Sequence, residues 1–310
     1  MDPRSFKPLK LYYCDHHSLG LPPGHKFPAG KYALIRERLA RDRIYEFVPA
    51  PLADPAVIKL VHDARYVDAF LEGTLSAAAI RRIGFPWSIG LVNRTLGSVG
   101  GTLEAARDAC ETGWGGNLAG GTHHAFRAEG SGFCVFNDIA VAIAWLRSCG
   151  RIRRAAVLDL DVHQGDGTAA LFETDADVLT TSIHCAVNFP FRKQRSKVDI
   201  ELPAGVGDEA YLNALDPLIA NVLDFAPDIV FYQSGVDGLG TDRLGRLKLT
   251  PDGLMERDRR VITAVARAGL PFVITLGGGY SEPIELTAEA HANTYRVAAL
   301  VFGAQPGLAS

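Results

Sequence analysis

The chain has 310 residues, 47% of them hydrophobic and 22% charged, with a formal charge of −3. That balance belongs to a globular protein with a sizeable core, and it excludes a disordered or fibrous chain. The slight negative charge argues against a general nucleic-acid binder.

Five cysteines, Cys14, Cys110, Cys134, Cys149 and Cys185, form an odd set with no CxxC spacing. They fit a reducing cytoplasm rather than a disulfide scaffold. The opening MDPRSFKPLK has no apolar signal core, and no apolar run approaches the roughly 18 residues needed to span a bilayer. A soluble cytoplasmic protein without a membrane span is expected. Oligomeric state is not encoded in any pattern found. No linker, repeat or low-complexity tract divides the sequence, so residues 1–310 are read as one domain.

In chain order, short apolar runs alternate with helical periodicity. Strands are expected over 10–13, 116–119, 155–161, 178–184, 228–234 and 271–276. Helices are expected over 30–39, 62–71, 97–112, 137–149, 208–223, 250–268 and 288–302. Thr250-Pro251-Asp252 reads as a helix start with Thr as cap, and Asp208 as the cap of the helix that follows it. The basic clusters 151–154 and 257–260 read as surface. The alternation predicts βαβ crossovers and a mostly parallel sheet with helices on both faces.

Ligands in such sheets bind at the carboxyl ends of strands, and the polar singularities of this sequence fall there. Gly120-Gly121-Thr122-His123-His124 follows one expected strand. Asp159-Leu160-Asp161-Val162-His163 ends another, Gly235-Val236-Asp237 follows a third, and Gly277-Gly278-Gly279-Tyr280 a fourth. Strand alternation puts residues 159, 161 and 163 on one side, close together. Buried carboxylates need a partner, and a divalent metal supplies one. The bland alternative is an Asp pair capping the next helix. Asp161, His163 and Asp237 form a two-carboxylate, one-imidazole set that leaves an open position on Zn²⁺; the same donors also suit Fe²⁺ or Mn²⁺.

Paired imidazoles at 123 and 124 suit proton transfer, each with an orienting carboxylate, for which Asp159 and Asp166 are the candidates. The Tyr280 phenol can donate to a developing oxyanion; the alternatives are aromatic packing or a nucleotide-binding glycine loop, and GGGY lacks the GxGxxG spacing of the latter. Phe133 and Phe189 are either walls of an apolar channel or core. His16, His17, His25, His62 and His291 have no partner pattern and read as structural or surface.

GGTHHA (120–125), GFCVFND (132–138), DLDVHQGDG (159–167), QSGVD (233–237) and GGGY (277–280), in this order, resemble the histone deacetylase superfamily. HKFP (25–28), FPWS (85–88) and NFPFRK (188–193) resemble its class IV branch and bacterial relatives. The resemblance implies an arginase/deacetylase fold, α/β in class, around an eight-stranded parallel sheet. It implies Zn²⁺-dependent hydrolysis of an acylated lysine in a protein or peptide. Asp161, His163 and Asp237 would hold zinc. His124, oriented by Asp166, would be base and then acid, and His123, paired with Asp159, its electrostatic partner. Tyr280 would bind the carbonyl oxygen. Phe133 and Phe189 would flank the channel, and the Gly132 carbonyl would meet the lysine N–H. A structural K⁺ is implied at Asp159, Ser182 and the carbonyls of Asp161, His163 and Ile183. Class I and II members carry a substrate-gripping Asp in an early rim loop, and here Gly84 stands at the comparable spot. Class IV relatives are associated with removal of long acyl groups. Two other functions share these motifs: deacetylation of a small amine such as an acetylpolyamine, and a catalytically silent acyl-lysine binding module, which would normally have lost Tyr280, a zinc ligand or one of the tandem histidines.

Overall fold

The computed structural model describes residues 9–303. Residues 1–8, on which most of the signal-sequence reading falls, and 304–310 lie outside it. Eight strands form one sheet: β1 (Leu9–Tyr13), β2 (Tyr45–Pro49), β3 (Trp114–Asn117), β4 (Ala155–Asp159), β5 (Val178–Cys185), β6 (Val198–Leu202), β7 (Ile229–Gln233) and β8 (Phe272–Thr275). Their order is β2-β1-β3-β8-β7-β4-β5-β6, and every pairing is parallel. This is the α/β architecture expected from the alternation of elements.

Strand alternation sends neighbouring residues to opposite faces. Ala156 and Leu158 of β4, Val230 and Tyr232 of β7, and Phe272 and Ile274 of β8 join one core. Ala155, Val157, Ile229, Phe231 and Val273 join the other. Helices α1 (Lys31–Ala40), α8 (Asp208–Asp224), α9 (Pro251–Arg267) and α10 (Ile284–Phe302) close the first face. Helices α3 (Ala64–Glu72), α5 (Ile89–Thr112) and α6 (Asp138–Ser148) close the second. The short helices α2 (Pro55–Ile58), α4 (Ala77–Ile83) and α7 (Asp166–Leu171) lie in connections. Among the described residues, no helix is long and apolar enough to cross a membrane.

Several expectations need correction. β4 ends at Asp159, two residues short of its expected end. α5 starts at Ile89, because Ser88 accepts from the Leu91 amide and opens the helix well before Gly97. Thr250 caps α9 as expected, accepting from Gly253 N–H. Asp208, however, does not cap α8: it is the first helical residue, and its carboxylate accepts from the amide and hydroxyl of Thr250. The 257–260 cluster is not all surface. Arg257 and Asp258 are fully buried, whereas Arg259 and Arg260 face outward and pair with Glu256. The helical period divides the four, since 254, 257, 258, 261, 262 and 265 form the inward stripe.

Candidate active site

The carboxyl ends of β3, β8, β7 and β4 lie side by side in the middle of the sheet. β3 and β4 are consecutive in the chain but are separated in the sheet by β8 and β7. Their connections therefore diverge and leave a crevice. The GGTHH, DLDVH and GGGY loops line a cavity of about 570 Å³ there, and the GVD loop joins them through Asp237, which lies against Asp161 and His163.

Asp161, His163 and Asp237 present ligand atoms that all lie within 4.8 Å of one another, and all three residues are buried. A continued strand does not bring them together. Past Asp159 the chain turns twice, each Asp accepting the amide two residues on: Asp161 N to Asp159 Oδ1 at 3.1 Å and His163 N to Asp161 Oδ1 at 3.0 Å. Asp159 is thereby turned toward His123, away from the other two. Neither Asp159 nor Asp161 caps α7, which has no side-chain cap. His163 Nδ1 stands 3.0 Å from both Asp161 Oδ1 and Asp237 Oδ2. The remaining carboxylate oxygens are oriented by backbone amides, Gly278 N to Asp161 Oδ2 and Val162 N to Asp237 Oδ1. Gly278 is needed for this approach: a Cβ there would sit 1.7 Å from Asp237 Oδ2.

Burial works against the charge on Asp161, but His123 and His163 overcome it and hold the group well below the usual carboxylate range. Burial and the charge of Asp161 push Asp237 up to about 7. Two buried carboxylates around one imidazole thus carry more negative charge than the ring alone neutralises, and a divalent cation fits the donor set.

The tandem histidines diverge in partner and in charge. Their rings are 4.1 Å apart. His123 Nδ1 bonds Asp159 Oδ2 at 2.7 Å, and His124 Nδ1 bonds Asp166 Oδ1 at 2.6 Å. Burial opposes charge on His123, but Asp159 and Asp161 outweigh it and raise the ring to about 9. Burial, then the charge of His123, lowers His124 to about 4. The two rings are thus pushed in opposite directions, His123 toward its charged form and His124 toward its neutral one.

Tyr280 lines the same cavity. Its amide donates to Asp242 Oδ2 at 2.6 Å. Phe133 and Phe189 line it as well, and Phe133 also packs against the second core. The Phe189 ring stands edge-on to His124 at 4.9 Å. Gly132 sits between them, at φ +53, where a Cβ would be 2.8 Å from His124 Cδ2. Asp159 and Ser182 are register partners on β4 and β5, with Ile183 next in line. The Ser182 hydroxyl lies 2.9 Å from His184 Nδ1. His62 is structural, as expected: Nδ1 lies 2.9 Å from Phe126 O, and Nε2 accepts from the Asn137 amide.

A family model described as the histone deacetylase domain matches residues 25–297. The chain belongs to the histone deacetylase family. It is 46% identical over 286 residues to an uncharacterised protein of Picosynechococcus, covering 91% of this chain and 95% of that one. It is 32% identical to histone deacetylase 2 of Arabidopsis thaliana, over 84% of this chain and 71% of the relative. A probable deacetylase of Archaeoglobus fulgidus is 31% identical over 84% and 77%. Family membership brings with it hydrolytic deacetylase chemistry and metal dependence, and the single parallel sheet agrees with the arginase/deacetylase fold.

Three groups that support the site were missed in the sequence. Asp138, quoted above only as the end of GFCVFND, accepts from the amides of Gly121 and Thr122 and from the hydroxyls of Thr102 and Thr122, which fixes the histidine loop. Buried Arg257 donates to the carbonyls of Gly235 and Leu160, beneath both ligand-bearing loops. Buried Lys31 donates to Gly277 O at 2.9 Å and lies 5.3 Å from the Tyr280 ring. Their partners lie far away in the chain, so no local pattern pairs them, although the helical period does place Arg257 on the buried stripe of α9.

Proposed function

We propose that this protein is a zinc-dependent lysine deacylase that removes acyl groups, long ones included, from acyl-lysine in peptides or proteins. The observation that carries the reading is the convergence of the Asp161/His163/Asp237 donors, two separately oriented His–Asp pairs and Tyr280 on one channel.

Asp161, His163 and Asp237 would hold a divalent ion, which when bound would supply a Lewis acid for the amide carbonyl and for a water. His124 is neutral, and its Nδ1 is engaged by Asp166. Its Nε2 is then the nitrogen that takes the proton from water and later delivers it to the leaving amine. His123, charged and held by Asp159, stabilises the negative charge that builds up nearby. The Tyr280 phenol donates to the carbonyl oxygen as it becomes an oxyanion. The Gly132 carbonyl accepts the lysine N–H, and Phe133 and Phe189 flank the side chain. The pairing of Asp159 with Ser182 supports a second, monovalent cation there, with the Asp161, His163 and Ile183 carbonyls.

A cavity of about 570 Å³ with walls from Phe27, Tyr32, Phe133 and Phe189 supports long acyl groups. Each buried CH₂ contributes roughly 0.8 kcal/mol. The class IV-like reading rests on the motifs at 25–28, 85–88 and 188–193. A cytoplasmic location rests on the five free cysteines. The test is metal analysis of purified protein together with turnover of one peptide bearing acetyl, butyryl, octanoyl or myristoyl lysine. About one zinc per chain, with kcat/KM rising along the series, is expected. Full activity of metal-free protein, or a marked preference for acetyl, would overturn it.

A further inference from the structure

We propose that the acyl-lysine taken by this enzyme lies in an acidic peptide segment, with Asp or Glu within a few residues of the modified lysine. The inference rests on the deacylase reading above and adds the sign of the charge around the substrate.

Arg81, Arg82 and Arg246 line the mouth of the channel and are exposed. An adjoining hollow of about 460 Å³ shares Leu244 and Tyr280 with the channel and adds Lys26 and Arg243. Against these five cations stand few carboxylates. Glu282 lines the hollow, 3.6 Å from Arg243. Glu129 pairs with Arg82. Asp242 is turned inward and accepts from the amides of Leu244, Gly245 and Tyr280. Arg81, Arg246 and Lys26 have no ion-pair partner among the described residues. The chain as a whole carries −3, so the positive mouth is a local arrangement and not a reflection of overall charge.

The arginines are also held against the channel. The Gly132 and Phe133 amides donate to the carbonyls of Arg82 and Ile83, which fastens the end of α4 to the wall. Asp242 fastens the 243–246 loop to Tyr280 through the bonds just given. Guanidinium groups bind carboxylates through paired hydrogen bonds and repel cationic amines. Three exposed apolar side chains share this mouth: Val187 at 60%, Phe191 at 90% and Leu244 at 38% exposure. Apolar area beyond what an acyl-lysine covers, mixed with arginine, marks a surface for a polypeptide rather than for a small anion.

An aspartate at position 84, the anchor implied for class I and II members, would be strained at this rim. Gly84 lies at φ +89, and a Cβ there would be 3.0 Å from the Phe133 ring. The Gly84 carbonyl is also within 3.0 Å of His25 Nε2.

The experiment compares kcat/KM of the metal-loaded enzyme on peptides with the same acyl-lysine and acidic, neutral or basic flanks. Nα-blocked acyl-lysine with a free carboxylate and an N-acylputrescine run beside them. The acidic peptide is expected to lead the basic one by about five- to tenfold at low ionic strength, through KM. The gap should close in about 0.5 M salt, where exposed charges are screened. An Arg81→Glu/Arg246→Glu double variant should reverse the order; the wild-type series decides the matter even if that variant does not fold. Equal turnover across the flanks, or a lead for basic flanks or N-acylputrescine, overturns the inference. A lead for the blocked amino acid over the acidic peptide overturns its peptide part. If no acyl-lysine substrate is turned over, the deacylase reading itself falls; if all are turned over alike, only the charge inference falls.

Discussion

The floor and the mouth of the channel handle charge in opposite ways. On the floor, Asp159, Asp161, Asp166, Asp237, His123, His124 and His163 are all buried, and each is bonded to another member or to backbone. They stand at or just past the carboxyl ends of β3, β4 and β7, with Asp166 opening α7, and Asp138 and Arg257 brace the loops from beneath. At the mouth, Arg81 and Arg246 are exposed, unpaired among the described residues and carried by connections. Charges on the floor interact in low dielectric and shift one another's pKa by units. Charges at the mouth are screened by water and salt, and each is worth little. The floor therefore sets the reaction, while the mouth tunes only which substrate reaches it.

Substitutions should separate these two regions by the size of their effects. Asp237→Ala removes one of three ligand atoms and should lose metal and turnover together, read as metal content per chain and kcat. A variant that keeps both would remove Asp237 from the floor. His124→Ala should keep the metal and cost about 10²–10⁴ in kcat. Should His123→Ala prove the more damaging of the two, the roles of the pair are reversed. Tyr280→Phe should keep metal and fold while losing about 10²–10³ in kcat; activity within a few-fold of wild type would make the Tyr a packing residue.

The smallest effect on the floor is a shift in pH profile. Burial, with the neighbouring His123 cation, depresses His124 to about 4. The base form thus survives below its ordinary value of roughly 6.5, and the acid limb of kcat/KM should lie below that pH. A bound divalent cation acts in the same direction. His123→Ala removes one positive neighbour, so the His124 pKa should rise and the acid limb should move to higher pH. A limb that stays put in that variant would show that the two rings are not coupled.

The same contrast explains what was legible in the sequence. Each floor residue sits in a short run of glycine and acid or histidine just after an apolar strand, so four motifs marked four strand ends. The geometry within one run was less legible, since Asx turns rather than strand alternation join Asp161 to His163. β4, β5, β7 and β8 were found because both faces are buried and the runs are apolar; β3, Trp114–Asn117, was expected two residues late because its Gly115-Gly116 pair interrupts the apolar pattern. The edge strands β2 and β6 were not found: Glu46, Asp199 and Glu201 interrupt them, and most of their residues are only partly buried. Arg257 was read as surface because four consecutive charges conceal a helical period that buries two of them. The mouth had no sequence signature, because α4, the Phe189 loop and the 243–246 loop meet only in the folded chain.

Gly84 also bears on how this enzyme can change. By the resemblance to class I and II members, an aspartate at this position would be the residue that grips a peptide backbone. Yet the backbone there is left-handed at φ +89, and a Cβ would press on the Phe133 ring at 3.0 Å. An aspartate arriving alone would meet strain and a displaced channel wall before it could hold any substrate. A side chain there requires the loop and the Phe133 ring to move together, so the glycine ties the shape of the rim to the position of the channel wall.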